Sequence, residues 1–471
     1  MSSRKLRIAI ASALAIHMPL QAQERIQEIE IVGREVNLVG SARSASEGRI
    51  SHNELLQRPL LRTGELLEAV PGLVATQHSG SGKANQFFLR GFNLDHGTDF
   101  ATSVDGMPVN MRSHGHGQGY TDLNFLIPEL VEEVVYRKGA YYADVGDFSG
   151  AGAARIYSRD HSLDNSINLG AGEYGFGRLL ATGSMASLEG DLIYGLEHQV
   201  YEGPWDSIDE DIGKTNLWLK QVWQGEDQDL ALSFMLYDNQ WNSADQIPAR
   251  AVSSGQISQF GSIDPTVGGS SSRYSLALNW QRNLGWAEWQ SNAWVIDYDM
   301  ELYSNFSYFV SPQGDQFQQV DDRRIYGGDA ALVIPGQWGD VAVTNTLGAE
   351  LRIDNIDQVG LRSTAQRQFL DEIRLDAVDE SSVSLYWQSE QQWSPRLRSV
   401  LGLRYDALDF EVNALAAADP TTLAANSGEA DDDIFTASLS LMYAVNDNHE
   451  LYASIGEGFH SNDARGTTIR L

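Results

Sequence analysis

The 471 residues include no cysteine. That excludes disulfide frameworks, thiolate metal sites and cysteine nucleophiles, and it leaves the redox compartment open. Cations are scarce: 33 Lys and Arg stand against 64 Asp and Glu, a formal net charge of -31. The basic face that neutralises phosphates is therefore missing, so nucleic acid is not an expected partner and cation-attracting surfaces are. Beyond the first 22 residues the chain lacks any run of about 18 apolar residues, so no helix is expected to span a membrane and any embedding must use strands. Tryptophan is absent before residue 160, and all 11 lie between Trp205 and Trp393. The length suits either two or three ordinary domains or one large barrel with an accessory domain.

Residues 1–22 read as a secretory signal: Arg4, Lys5 and Arg7 form a positive start, Ile8–Ile16 is apolar on every face, and Ala22 suits the position before a cleavage site. The competing reading, an amphipathic first helix of a cytosolic domain, lacks a polar face. The stretch up to residue 160 mixes a short helical pattern, Glu65–Val70 closed by Pro71 and Gly72, with short strands and glycine-rich loops. It predicts a compact mixed domain over 48–160, preceded by an extension over 23–47.

From 161 to 471 the period changes to two. Leu230, Leu232, Phe234 and Leu236 share one face, while Ala231, Ser233 and Met235 share the other. Tyr274, Leu276, Leu278 and Trp280 oppose Ser275, Ala277, Asn279 and Gln281, and Phe435, Ala437, Leu439, Leu441 and Tyr443 oppose Thr436, Ser438, Ser440 and Met442. One face is apolar and the other small and polar, as in a membrane barrel with lipid outside and a wet lumen inside; a sandwich would turn charged residues outward. Short connections, as at Glu189–Asp191 or Asn446–His449, alternate with long polar ones near 202–214, 241–271, 304–322, 356–381 and 412–433. Outer-membrane barrels sort loop length by side in this way, whereas a secreted sandwich or solenoid has no reason to. Trp223, Trp241, Trp286, Tyr303, Trp338 and Trp393 are expected in the interfacial girdles. Thirteen such segments can be counted, yet single-chain barrels close on an even number and lipid tolerates no open edge. The expectation is a partial barrel, incomplete at its C-terminus.

Several motifs then follow in order: E-I-E-I-V-G (Glu28 to Gly33), L-L-E-A-V-P-G-L (Leu66 to Leu73), F-F-L-R-G-F (Phe87 to Phe92), V-D-G-M-P-V (Val104 to Val109) and I-P-E-L-V-E-E-V-V-Y-R-K-G-A (Ile127 to Ala140). Together they resemble the plug domain of TonB-dependent outer-membrane receptors. The stretch Glu450 to Gly466 is similar to that family's barrel. The resemblance implies a mainly β fold, a transmembrane antiparallel barrel of 22 strands with about 13 present, and an N-terminal α+β plug in the lumen. It implies the outer membrane of a Gram-negative bacterium and no enzymatic activity. Import of a scarce ligand, most simply a ferric siderophore, would be driven by proton-motive force through TonB with ExbB and ExbD. It further implies a monomer when full length and no cofactor. Glu28, Ile29, Glu30, Ile31, Val32 and Gly33 would bind TonB; alternating Ile29 and Ile31 with Glu28 and Glu30 makes a strip able to add to a partner's sheet edge, or simply a first plug strand.

Two nucleotide-like strings lack their context. Gly80 to Lys83 has Gln77 where the first Walker glycine belongs and Ala84 where a hydroxyl should bind magnesium, and Gly170 to Gly175 is preceded by no buried parallel strand and followed by no helix. Five of the ten histidines lie in the mixed domain: His52, His78, His96, His114 and His116. His114 and His116, two apart, would point to one side of an extended chain. With Asp95, His96 and Asp99 they are candidates for contacting ligand or for holding zinc, copper, nickel or iron; the alternative is packing inside a wet lumen. A zinc, copper or nickel importer is thus the second reading, and a passive porin or adhesin the third. Acidic runs at Asp206, Asp209, Glu210 and Asp211, at Asp321 and Asp322, and at Asp431 to Asp433 are placed in outer loops, solvated, calcium-binding or repelling anionic lipid. No spacing of serine, histidine and acid suggests catalysis.

Overall fold

The structure, a computed structural model, describes residues 38–469 apart from 61, 78–79, 244, 309 and 311–313. The signal segment, the strip Glu28–Gly33 and His78 lie outside the described residues.

Among the described residues the plug carries eight short strands: β1 (Glu47–Ser51), β2 (Leu73–Thr76), β3 (Gln86–Leu89), β4 (Phe92–Asn93), β5 (Phe100–Val104), β6 (Met107–Pro108), β7 (Val131–Lys138) and β8 (Gly152–Ser158). One sheet runs β1-β7-β8-β5-β6, with β5 and β8 parallel, and a second runs β2-β3-β4. The helical pattern at Glu65–Val70 is a 3-10 segment, Thr63–Ala69, too short for α-helical propagation and stopped before Gly72 at φ +85. Leu66, Leu67, Val70, Phe87, Phe100, Val104, Val134 and Ile156 form its buried core.

Thirteen strands follow in one antiparallel sheet, ordered along the chain: β9 (Ser166–Ala171), β10 (Gly177–Ser187), β11 (Gly190–Tyr201), β12 (Ile212–Gln224), β13 (Gln228–Asn242), β14 (Gly268–Asn283), β15 (Glu288–Ser304), β16 (Phe317–Trp338), β17 (Val341–Ala365), β18 (Gln368–Ser394), β19 (Leu397–Ala417), β20 (Gly428–Asn446) and β21 (His449–Gly456). Each overlaps one of the thirteen segments read from the alternation, and several extend beyond it. The sheet wraps the plug, because strands far apart in it touch the same small domain: Asn279 on β14 donates to Asp105 O at 2.9 Å, Arg352 on β17 to Asn110 O at 2.9 Å, and Arg404 on β19 to Ala143 O at 3.3 Å.

The faces are inverted relative to a soluble sheet. On β20, Phe435, Leu439, Leu441 and Tyr443 are exposed while Thr436, Ser438, Ser440 and Met442 are buried toward the lumen. Girdle positions Trp286, Trp338 and Trp393 are exposed at short turns, but Trp241 is only 2% exposed. It follows Ser233, Met235 and Tyr237 on the inward face of β13 and packs on Gly82 of the plug, where a Cβ would lie 2.0 Å from its ring. The period of two, carried four residues further, places it there.

The connections also need correction. The expected loop 356–381 is mostly strand: β17 and β18 continue to a two-residue turn at Gln366 and Arg367, with φ +50 and +60 as a tight hairpin turn requires. Part of 304–322 and most of 412–433 are likewise strand, the latter interrupted by a helix, α1 (Pro420–Asn426). A 25-residue strand is roughly 80 Å long, well over what a tilted strand needs to cross a bilayer. Above the lipid both faces are wet, so the apolar alternation that reveals a strand lower down is lost.

Candidate functional site

Two plug loops rise toward the long-connection side. The first, Asp95–Asp99, lies between β4 and β5 and is shaped by backbone bonds from Phe87 N–H to Asp95 O at 2.8 Å and from Leu94 N–H to Phe87 O at 2.9 Å. Gly97, at φ +136, is required there, since a Cβ would meet Thr121 Oγ1 at 2.1 Å and Gly119 O at 2.6 Å. The second, Ser113–Gln118, is closed by the bridge between Met111 and Tyr120.

The barrel clamps this second loop. Gly115 N–H donates to Asp321 Oδ2 at 2.9 Å, Ser113 Oγ to Glu380 Oε1 at 2.5 Å, Arg465 Nη2 to His114 O at 2.9 Å, and Arg323 to Ser113 O. Gly115 fits because a Cβ would sit 2.6 Å from Val320 O. Asp321 is therefore no loop acid: it is buried on β16 and bonded to Arg323 Nε at 2.6 Å. Glu210 is also not free in solvent, accepting from Trp205 Nε1 at 2.7 Å and from Ser81 Oγ of the plug at 2.9 Å. Asp431 to Asp433 are exposed, on β20 rather than in a loop.

The histidines separate into three roles. His114 is buried, stacks on Tyr120 with ring centroids 3.9 Å apart, lies 3.3 Å from Tyr298 Oη, and accepts the His116 N–H on Nδ1 at 3.1 Å. The loop is bent instead of extended, so His114 and His116 do not form the expected pair. His116 instead turns its Nε2 to within 3.0 Å of His96 Nε2. His96 Nδ1 faces Ala84 O and Asn85 O, both at 3.1 Å. His116 Nδ1 faces Gln319 Oε1 at 2.8 Å, and that amide is oriented by its Nε2 donating to Gly115 O at 2.9 Å. Both Nδ1 atoms therefore carry the proton, and both Nε2 atoms present lone pairs. Burial and the nearby Lys83 charge push His96 down to about 4 and His116 well below the ordinary histidine range, so both rings are neutral at neutral pH. Asp95 Oδ1 lies 3.8 Å from His96 Nε2. Asp99 is elsewhere, paired with His460 Nδ1 at 2.7 Å, and His52 Nδ1 bonds to Val131 O at 2.7 Å.

Sequence reasoning missed Gln319, Tyr120, Tyr298 and Lys83. No local signal marks Gln319, which is about 200 residues distant from His116 and reaches it only through the fold. Lys83, in the rejected Walker-like string, is buried, and burial pushes it down to about 8.

On the short-turn side the plug meets the wall across a cavity of about 830 Å³. Its lining is charged and paired: Arg137 and Arg155 with Asp144 at 2.8 and 3.0 Å, Arg112 with Asp147 at 2.8 Å, and Arg404 with Glu350 at 2.7 Å. Gly170–Gly175 spans the end of β9 and the following turn, a hairpin connection as expected from its context.

Among solved structures, the ferric citrate transporter FecA in its unliganded form matches with a TM-score of 0.75 at 13% identity, over 90% of this chain and 64% of that one. The copper transporter OprC matches at 0.65 and 17% identity, over 88% of this chain and 64% of its own. The siderophore receptor PiuA from Acinetobacter baumannii matches at 0.67 and 16% identity, over 87% and 64%. The chain thus spans about two thirds or less of the length of these neighbours, and at such identity they establish the fold alone. The TonB-dependent receptor plug domain model matches residues 40–153, and the TonB-dependent receptor-like β-barrel model matches 204–469, more than half of the chain. Members of that family are outer-membrane β-barrel proteins of Gram-negative bacteria, transporters and receptors rather than enzymes. With plug, inverted sheet and both family models in agreement, the chain belongs to the TonB-dependent receptors.

Proposed function

We propose that the protein imports a scarce metal complex across the outer membrane, energised through TonB with ExbB and ExbD. The observation that carries this reading is the asymmetry of the plug's seating. On one side its core packs on the wall through apolar contacts with Leu180, Ile193, Trp218 and Met235. On the other it meets the wall around a wet cavity through ion pairs of Arg43 with Glu390 at 2.6 Å and of Asp105 with Lys220 at 3.6 Å. Ion pairs that can exchange partners with water cost far less to separate than an apolar interface, so a pull on the N-terminus can open that side first. The strip Glu28 to Gly33 is the proposed point of attachment, with Ile29 and Ile31 alternating against Glu28 and Glu30 as an added strand would.

Ferric siderophores are the first ligand class to test. The paired imidazoles of His96 and His116 favour a second, complexes of copper, nickel or zinc. Deleting Glu28–Gly33 and following uptake of radiolabelled metal complexes is the decisive experiment. Uptake falling to background while surface binding persists supports the import reading. Unchanged permeation of small solutes, independent of the proton gradient, identifies a porin and overturns it.

A further inference from the structure

Strand β21 stops at Gly456, and the residues after it lie against the plug. A Cβ on Gly456 would collide with Ala140 O, and one on Gly458 would sit 2.7 Å from Ala140 Cβ, so both positions suit glycine. Between Phe459 and Arg465 the chain then bonds to three plug segments that are remote from one another in sequence. Ser149 N–H donates to Phe459 O at 3.1 Å, and His460 Nδ1 lies 2.7 Å from Asp99 Oδ1. Ser461 donates to Asp147 twice, from N–H to Oδ1 and from Oγ to Oδ2, both at 2.7 Å. Gln118 Nε2 donates to Ser461 O, Ala464 N–H to Ser113 Oγ at 2.8 Å, and Arg465 Nη2 to His114 O at 2.9 Å. Both apex loops and the segment Asp147–Ser149 therefore hang on one short stretch.

The other side of that stretch belongs to the wall, and its contacts are of another kind. Ala464 is fully buried in an apolar cluster with Val359, Val378, Leu408 and Phe410 of β17, β18 and β19, and Phe459 packs against the same cluster. A helical turn, Ala464–Thr467, is capped by Asp463, which accepts from Arg465 N–H at 2.9 Å. Water can replace the hydrogen bonds to the plug, whereas leaving the wall would expose Ala464 and Phe459. The plug side is the side that lets go.

The bonds to the plug are also tied to each other. Asp147 accepts from Arg112 Nε at 2.8 Å, and Arg112 Nη2 donates to Ser382 Oγ on β18 at 2.8 Å. Ser113 Oγ, besides accepting from Ala464, donates to Glu380 Oε1 on the same strand at 2.5 Å. Asp147 and Arg112 line the cavity between plug and wall, so the stretch joins the apex loops to the cavity border.

We propose that Phe459–Arg465 is a wall-mounted strap that holds the plug seated and releases the apex loops and the cavity border as one unit. Movement of the plug away from the cavity side then requires the strap to open. That consequence rests on the import reading; the strap itself does not.

Hydrogen exchange read by mass spectrometry on the 471-residue protein in detergent tests the coupling. Arg465→Gln removes the bond to His114 O at one end and leaves Phe459 to Ser461 unaltered. A strap acting as a unit predicts that exchange over Asp147–Ser149, at the far end, rises about tenfold or more together with exchange over Ser113–Gln118. Ser461→Ala, which removes the Oγ bond to Asp147, should give the reciprocal spread to Ser113–Gln118. Arg396→Gln, on a short turn remote from the strap, should change neither. Responses confined to the substituted end in both variants overturn the proposal, and if one variant fails to fold the other decides alone. Rapid exchange over Ser461–Arg465 in the unmodified protein overturns it without any variant. Energised uptake is scored separately in cells: coupled exchange with uptake that does not need TonB removes the import reading and leaves the strap.

Discussion

The plug and the barrel bury opposite kinds of residue. In the plug Leu66, Phe87 and Val104 are inside, as in any soluble domain, whereas on β20 Leu441 is 44% exposed and its neighbour Ser440 is 1% exposed, bonded to Ser454 Oγ at 2.9 Å. Burial therefore does not measure contribution to stability in the same way along this chain. In the plug, water is the alternative to packing; around the barrel wall the alternative is hydrocarbon, and an exposed leucine there is already in its preferred solvent.

The sharpest way to break this contrast is to make equivalent changes on both sides of it. Phe87→Ala removes a core ring whose backbone also fixes the Asp95–His96 loop, and the plug should lose about 3–5 kcal/mol in denaturant titrations in detergent. A loss under 1 kcal/mol would mean that the plug does not depend on its own core. Next in size, Leu441→Arg on the lipid face should cost about 2–4 kcal/mol in liposome refolding. In a soluble sheet the same exposed substitution would be within about 0.5 kcal/mol of neutral, so a neutral outcome contradicts the membrane assignment of that face.

The same contrast explains what could be read from the sequence. All 13 barrel strands were legible because lipid imposes a strict period of two on Leu230 to Leu236 or Phe435 to Tyr443. Once strands rise above the lipid, as between Ile356 and Ala365, no solvent difference remains across the sheet and the pattern disappears. At the plug apex, composition singled out the histidines, but spacing suggested the wrong partner for His116. His114 was turned into the Tyr120 and Tyr298 contacts, and His96 was brought up by a loop whose left-handed Asp95 and Gly97 no spacing rule anticipates. Gln319 and Asp321, which orient the Ser113–Gln118 loop, come from a strand with which it shares no sequence proximity.

The smallest effect concerns a place where the plug departs from its own rule. Asp122 is 6% exposed, accepts the Asn124 N–H at 2.9 Å, and is pushed up to about 6 by burial. Its folded value lies above the ordinary carboxylate value of 3.8. Between those two values the folded plug binds a proton that the unfolded chain releases. Stability contributed by this group is therefore full at low pH and declines as pH rises through the window, leaving a fixed penalty above about 6. Asp122→Asn keeps an acceptor for Asn124 and removes the charge. At pH 7.5 it should stabilise the plug by about 1–3 kcal/mol, and at pH 3.5 by almost nothing, as read by thermal unfolding in detergent. A loss at pH 7.5 would show that the charge of Arg273, stacked on Phe125 at 4.4 Å, needs this carboxylate more than burial penalises it. In that event the plug, like the wall around it, would be held at this point by charge rather than by exclusion of water.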